Sequence, residues 1–187
     1  MLNYDEIYRE NPDYFGKRFP ELMDWFAEQK GRGKVLDVGC GQGRNAIPLA
    51  EMGYEVLGVD ISVEGIEQLK RKMDDHRIQN LEVKAADFLE MDDLSSFSIF
   101  LLDGFFQFYE HDFERDQRVI HHLRKASAKA ALFVFCFAER EDSVENFKEL
   151  STDFASVESK SLRYAHRDPI SEWEFETRYR LEILKKE

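Results

Sequence analysis

The sequence predicts an α/β fold, a doubly wound and mostly parallel sheet of seven strands with an antiparallel C-terminal hairpin. Short apolar runs alternate with helical patterns from residue 34 to about residue 150, as in parallel strands joined by helices. The first strand ends in alternating glycines, which is how such a sheet approaches a nucleotide-like ligand. Two long alternating segments, Ala155–Ala165 and Trp173–Leu184, then predict the hairpin.

Length and composition favour one domain, residues 1–187, made of an N-terminal helical arm (1–33) and a Rossmann-like core (34–187). The net charge of −12 opposes a phosphate-backbone partner, so we expect no nucleic-acid substrate. The apolar runs are too short for a membrane span and the N-terminus is not a signal peptide, which predicts a cytoplasmic protein. A monomer or a homodimer is expected. Cys40 and Cys136 are expected to be reduced packing residues.

The N-terminal arm is rich in aromatic side chains. Pro20 stands where a helix begins, and the apolar residues after it follow a helical spacing. The simpler interpretation packs this arm on the sheet. The alternative is a lid in which Tyr14 and Phe15 lie against a cationic ligand, since an aromatic face attracts a cation.

The end of the first strand carries the strongest signal. Gly39, Gly41 and Gly43 permit unusual backbone angles and close approach of a ligand, and the helix predicted over residues 44–51 points unpaired N–H groups at this turn. Asp37 lies two residues before the first glycine, where it would repel a pyrophosphate. The strand tip therefore favours a ligand with an ammonium or sulfonium centre.

This D-x-G-x-G-x-G arrangement resembles motif I of the class I S-adenosylmethionine (SAM) dependent methyltransferases. The resemblance implies SAM as cofactor and S-adenosylhomocysteine (SAH) as product, with Asp37 helping to hold the amino group of SAM. The glycine loop would lie against the methionine part of SAM; its residues are Gly39, Cys40, Gly41 and Gly43. A shorter pattern, Gly41, Gly43 and Ala46, also fits the G-x-G-x-x-A of NAD enzymes but leaves Asp37 unexplained.

The second strand, YEVLGVD, ends at Asp60, about 20 residues beyond the glycine loop. A carboxylate at this place can accept both ribose hydroxyls, and the resemblance places Ile61 flat on the adenine. The alternative role for Asp60 is a charge at a helix N-terminus, although Ser62 is the better cap for helix Val63–His76.

A third alternating run, NLEVKAA, predicts a strand that leads to another acid. The resemblance makes Ala86, Asp87 and Phe88 adenine contacts. Asp87 would accept the exocyclic amine, and Phe88 would form a wall beside the base.

The fourth strand, Ser98–Leu102, opens the expected ligand crevice at the topological switch point. Leu102 and Asp103 would border the methionine end of SAM. The polar candidates for contact with the methyl acceptor are Gln107, Tyr109 and His111. His111 is a residue type that can act as a base, but its place beside Asp112 favours a helix start.

The rest of the chain is predicted as helix Asp112–Lys125, strand Lys129–Ala138, helix Ser143–Ser151 and the hairpin. His166, Arg167 and Asp168 in the hairpin connection are expected to be solvated turn residues. His121 and His122 point about 100° apart on a helix, so no metal site is expected.

Methyl transfer from SAM is an in-line displacement that needs alignment and exclusion of water more than acid or base catalysis. No catalytic residue is therefore assigned. The chain lacks the N/D-P-P-Y segment of amino-group methyltransferases and the Pro-Cys pair of cytosine enzymes. It looks most like small single-domain enzymes of the tellurite-resistance and thiopurine methyltransferase type, which implies a small-molecule acceptor. A non-catalytic SAM- or SAH-binding module and an NAD(P)-linked oxidoreductase stay open as alternatives.

Overall fold

The computed structural model describes residues 3–167 and 174–187, so Asp168 and the rest of the predicted hairpin connection to residue 172, together with Trp173, lie outside the described residues. His166 and Arg167, predicted as turn residues, instead belong to the strand Phe154–Arg167, because their backbone pairs with Phe175 and Glu174. The described helices are α1 (Tyr4–Glu10), α2 (Pro20–Glu28), α3 (Ala46–Glu51), α4 (Val63–His76), α5 (Phe113–Ala126) and α6 (Glu141–Leu150). The strands are β1 (Lys34–Val38), β2 (Glu55–Asp60), β3 (Leu81–Ala85), β4 (Ile99–Asp103), β5 (Leu132–Ala138), β6 (Phe154–Arg167) and β7 (Glu174–Lys186).

The strands form one seven-stranded sheet in the order β3-β2-β1-β4-β5-β7-β6. Strand β1 pairs in parallel with both β2 and β4, and β2 pairs in parallel with β3. Strand β7 pairs antiparallel with both β5 and β6. The strand order reverses beside β1, which is the topological switch point where doubly wound sheets bind ligands. The predicted fold class is confirmed.

The chain forms two compact units, Met1–Leu101 and Leu102–Glu187. The first unit holds α1 to α4, β1 to β3 and most of β4; the second holds α5, α6 and β5 to β7. A single domain spanning both units stays a prediction. Among the described residues, none of the helices is long and apolar enough to cross a membrane.

The element boundaries differ from the sequence predictions at a few places. Helix α3 begins at Ala46 instead of Arg44, because the glycine turn continues to Asn45. Strand β5 begins at Leu132 instead of Lys129, because Ala130 has a left-handed φ of 62° that interrupts extended backbone. Helix α4 agrees with its prediction, and the Ser62 side chain accepts a hydrogen bond from the Gly65 N–H at 3.0 Å as its N-cap.

Aromatic side chains build the interior of the second unit. Phe133, Phe135 and Phe137 on β5 are buried, and the last two contact Phe147 of α6 at ring-centroid distances of 5.3 and 5.1 Å. Phe106 and Phe108, which follow β4, are also buried and belong to this core. Phe105 is only half-buried.

Asp116 on α5 is a fully buried carboxylate, and neither of its oxygens accepts a hydrogen bond from the described residues. Among the described residues, its ion-pair partner is Arg115, whose Nη1 lies 3.5 Å from Oδ1. Burial raises the pKa of Asp116 from about 3.8 to about 6; Arg115 opposes this rise and Asp112 adds to it. The folded protein therefore holds a proton between about pH 4 and pH 6 that the unfolded chain has lost.

We expect Asp116→Asn to flatten the pH dependence of stability. Because the folded-state pKa is raised, Asp116 favours folding at low pH, and this contribution is lost as the pH rises from about 4 to about 6. The free energy of unfolding of the wild type should fall relative to the variant by about 1–3 kcal/mol over this range. Urea unfolding at pH 4, 5, 6 and 7 measures the difference, with Glu114→Gln, at an exposed acid of the same helix, as control. Parallel pH curves for the wild type and Asp116→Asn would contradict the buried ionisation.

Candidate functional site

The glycine loop between β1 and α3 lies on the end of β2. The N–H groups of Gly39 and Cys40 both donate to the Val59 carbonyl, at 2.8 and 3.1 Å. Gly39, Gly41 and Gly43 have φ values of 74°, 49° and 85°, in the region where side chains are strained. A Cβ on Gly43 would lie 2.2 Å from Leu69 Cδ1 of α4. The turn therefore requires these glycines for conformation and for close packing.

Asp60 joins the end of β2 to this loop. Its buried carboxylate accepts the Gly41 N–H through Oδ2 and the Ser62 N–H through Oδ1, each at 2.8 Å. Burial raises the pKa of Asp60, and the two N–H donors oppose that rise because they stabilise the anion. Each carboxylate oxygen has a second acceptor position, so the group can accept further hydrogen bonds.

Asp37 and Cys40 are buried at the end of β1 and the start of the loop. Asp37 is in register with Gly58 of β2 and Leu101 of β4, so it lies at the switch point. Burial and the carboxylates of Asp37 and Asp60 raise the pKa of the Cys40 thiol, which favours its neutral form. Cys40 and Cys136 are both buried, in agreement with their prediction as packing residues.

The predicted adenine contacts lie at the ends of β2 and β3. The Ala86 N–H donates to the Asp60 carbonyl at 2.9 Å, which fixes the turn after β3 beside Asp60. Ile61 is 61% exposed, an unusual fraction for a large apolar side chain. Asp87 is exposed and its Oδ1 accepts the Leu89 N–H at 2.9 Å. Phe88 is buried, and the exposed apolar side chain of this turn is Leu89.

The arm places α1 against the glycine loop and α4. Tyr8 is only 2% exposed, and its hydroxyl lies 2.6 Å from the point that a Cβ on Gly41 would occupy. Its ring lies 2.9 Å from the equivalent point on Gly65. Asp5 Oδ1 accepts the Ser62 hydroxyl at 2.5 Å and the Glu64 N–H at 3.0 Å. Asp5 and Tyr8 were not predicted as site residues; their signal in the sequence is a Tyr-Asp pair followed by a second Tyr at helical spacing.

The second part of the arm, residues 11–15, is tied to the glycine loop by Gln42. Its Nε2 donates to the Asn11 carbonyl at 2.7 Å, and its Oε1 accepts the Tyr14 N–H at 3.1 Å. Arg44 donates to the Phe15 carbonyl at 3.0 Å. Tyr14 and Phe15 remain 47% and 42% exposed, and their lid role stays a prediction.

The remaining predicted residues belong to the second unit. Leu102 is buried and Asp103 is half-buried at the end of β4. Gln107 and Tyr109 are half-buried and His111 is exposed. His111 lies in a 3-10 turn, Glu110–Asp112, that leads into α5, which agrees with the predicted helix start. Among the described residues, no group of three His, Cys, Asp or Glu side chains is placed to hold a metal ion.

A glycine loop joined to a buried acid at the end of β2, beside the switch point, is the geometry expected for a nucleoside-binding α/β protein. The family model described as "Methyltransferase domain" matches residues 29–181. The chain belongs to this family. The resemblance to methyltransferases inferred from Asp37 and the glycines is therefore confirmed, and the family takes SAM as its cofactor.

Curated relatives match shorter stretches. An uncharacterised protein of Rickettsia prowazekii is 32% identical over 101 residues, covering 49% of this chain and 40% of the relative. The 2-heptyl-1-hydroxyquinolin-4(1H)-one methyltransferase of Mycobacteroides abscessus is 29% identical over 83 residues, 44% of this chain and 37% of the relative. The 23S rRNA (uracil(1939)-C(5))-methyltransferase RlmD of a Shewanella species is 36% identical over 61 residues, 33% of this chain and 13% of the relative. The chain thus spans less than half the length of these relatives.

Solved structures share the fold across nearly the whole chain. TehB from Haemophilus influenzae has a TM-score of 0.73 at 17% identity and covers 100% of this chain and 68% of TehB. The PH0226 protein from Pyrococcus horikoshii has a TM-score of 0.73 at 17% identity, covering 99% and 100%. A SAM-dependent methyltransferase from Methanosarcina mazei has a TM-score of 0.70 at 16% identity, covering 91% and 98%. The expected likeness to the tellurite-resistance type agrees with the TehB match.

Proposed function

We propose that this chain uses SAM to methylate a small-molecule acceptor. The observation that carries the proposal is the buried hydrogen bond between the Asp60 carboxylate and the Gly41 N–H. This bond fixes an acid and a glycine loop at the same end of the sheet, with acceptor positions left on the carboxylate. A neutral or cationic nucleoside suits this arrangement, whereas a pyrophosphate would meet the negative charges of Asp60 and Asp37.

The residues of the first unit fit the groups of SAM by their chemistry. Asp60 would accept the ribose hydroxyls and Asp37 the amino group. Ile61 offers an exposed apolar face for the adenine, and the exposed Asp87 carboxylate can accept its exocyclic amine. These roles, and those of Gly39, Cys40, Gly41 and Gly43 in the loop, are part of the proposal.

SAM, when bound, supplies a methyl group already activated by a sulfonium centre. The work left to the chain is to bind, to orient and to exclude water. The glycine loop and Asp60 form a preorganised binding surface for the nucleoside, because hydrogen bonds within the protein already hold them in place. Tyr8, buried against Gly41, keeps water from that side of the loop. No proton transfer by the chain is required in this scheme.

A small acceptor is favoured over RNA on two grounds. The net charge of −12 repels a phosphate backbone. The Mycobacteroides abscessus relative is named for a small quinolone, although the Shewanella relative is named for 23S rRNA. An acceptor panel must therefore include an RNA oligonucleotide.

Isothermal titration of the full chain with SAH, SAM and NAD⁺ tests the cofactor. We expect SAH and SAM to bind and NAD⁺ not to bind; the reverse order would favour an oxidoreductase. Transfer of a labelled methyl group from SAM to thiols, chalcogen oxyanions, amines, carboxylates and the RNA oligonucleotide then tests the reaction. SAH binding without transfer to any acceptor would favour a non-catalytic binding module, and transfer to RNA alone would exclude a small-molecule acceptor.

A further inference from the structure

The segment that follows β4 in the second unit is held in a strained conformation. Phe108 has a φ of 54°, in the left-handed region that bulky side chains rarely adopt. Such a residue costs about 1–3 kcal/mol and persists only where its surroundings hold it. Its ring is buried, stacked on Phe106 at 4.8 Å and edge-on to Phe137 at 4.8 Å. Strain of this kind in a loop at the end of a strand favours a functional role for the loop.

Side chains of α6 and its N-cap fix the same segment from the other side. The Gln107 carbonyl accepts the Ser143 hydroxyl at 3.0 Å and Arg140 Nη2 at 3.1 Å. The Phe108 carbonyl accepts Asn146 Nδ2 at 2.9 Å. These bonds hold the backbone, while the side chain of Tyr109 stays half-buried.

Arg140 is a positioned cation with unused donors. Its guanidinium lies 4.2 Å from the centre of the Tyr109 ring, a cation–π distance. Among the described residues its one hydrogen bond is to the Gln107 carbonyl, and its Nε has none. The nearest paired carboxylate oxygen, Asp142 Oδ1, is 4.0 Å from Nε. Arg180, by contrast, donates to both Glu182 and Ser159.

The imidazole of His111 also stacks on the Tyr109 ring. The two rings are nearly parallel, at 13°, with centroids 5.1 Å apart. The His111 side chain is 77% exposed, and its Nε2 lies 3.7 Å from Asp112 Oδ2. Two nitrogen-rich side chains, those of Arg140 and His111, therefore lie against the Tyr109 ring. They do so in a chain whose overall charge is strongly negative.

The cluster of Arg140, Tyr109 and His111 lies where a sheet of this kind is expected to bind a ligand. The Gly104 N–H donates to the Cys136 carbonyl at 2.8 Å, so the segment after β4 starts beside the C-terminal half of β5. Arg140 follows the end of β5 by two residues. Doubly wound sheets bind their ligands outside the carboxyl ends of their strands.

We propose that Arg140, held on Tyr109, binds an oxyanion group of the methyl acceptor. The planar guanidinium matches a carboxylate or phosphate monoester with two parallel N–H donors, and stacking on an aromatic ring fixes its orientation in advance. Nε is buried, but Nη1 makes no hydrogen bond among the described residues, and an arriving oxyanion supplies an acceptor to it. This inference rests on the proposed function and narrows its acceptor to an anionic small molecule.

Binding of benzoate, phenyl phosphate and neutral benzamide to the full chain, with and without SAH, tests the site. We expect at least one of the two anions to bind and benzamide not to bind. Arg140→Gln should weaken that binding about 10-fold or more and leave SAH affinity unchanged. Arg140→Lys keeps the positive charge but lacks the two parallel N–H donors of the guanidinium, so it should cause an intermediate loss of anion affinity. Arg163→Gln, at an exposed arginine of β6, removes the same charge elsewhere and should change nothing.

The outcomes separate the two proposals. Loss of anion binding in Arg140→Gln with retention in Arg163→Gln supports the site, and the ratio of benzoate to phenyl phosphate affinity identifies the oxyanion. Equal binding of benzamide, absence of anion binding in the wild type, or unchanged binding in Arg140→Gln overturns it. Failure of the wild type to bind SAH contradicts the proposed cofactor but leaves the anion measurement without SAH to decide on Arg140.

Discussion

Asp60→Ala is expected to weaken SAM and SAH binding by about 1–3 kcal/mol, the cost of leaving buried hydrogen-bonding groups without partners. The same substitution should lower protein stability, because the N–H groups of Gly41 and Ser62 both lose their acceptor. Isothermal titration and thermal unfolding of the same preparation measure the two effects. Binding should fall even at temperatures well below the unfolding transition of the variant.

Two further variants sharpen the Asp60 experiment. Asp60→Asn keeps the shape but brings an NH₂ group towards one of the two N–H donors, so we expect it to lose binding as well. Asp93 is a matched control, since its exposed carboxylate also accepts the N–H two residues later, at Ser95. Asp93→Ala should leave SAH affinity unchanged. Undiminished SAH affinity in Asp60→Ala would refute the ribose assignment.

The parts of the site that could be predicted from the sequence are those fixed by local patterns. Asp37, the loop glycines and Asp60 lie at strand ends that the apolar runs define, and a parallel sheet brings such ends to one edge. The cap at Ser62 followed from residue type and position alone. The bond from Gly41 to Asp60 spans only 19 residues, one strand–helix–strand unit.

Contacts between residues that lie far apart in the sequence could not be predicted in this way. Asp5 and Ser62 are 57 residues apart, and no spacing rule relates an arm helix to the start of α4. The burial of Tyr8 could not be predicted either, because it depends on the room that Gly41 and Gly65 leave for its ring. Arg140 is a common residue in a helix-start position, and only its stacking on Tyr109 distinguishes it.

Tyr8→Ala is expected to have the largest effect on stability. Its fully buried ring packs where Gly41 and Gly65 have no side chains, so its removal leaves a cavity beneath α1. Truncation of a buried aromatic residue costs about 3–5 kcal/mol, which denaturant unfolding measures directly. Because the ring also packs against the loop that would carry the methionine part of SAM, SAH affinity should fall as well.

Tyr8→Phe and Tyr14→Ala separate packing from other roles of the arm. Tyr8→Phe keeps the ring, so its loss of stability should stay below about 1.5 kcal/mol. Tyr14 lies on the same arm but is nearly half exposed, and its truncation should cost less than about 1 kcal/mol. If Tyr14→Ala and Tyr8→Ala lowered stability equally, Tyr8 would not be the anchor of the arm. If Tyr8→Phe kept its stability but lost SAH affinity, the Tyr8 hydroxyl, and not the packing of α1, would be the group that the cofactor needs.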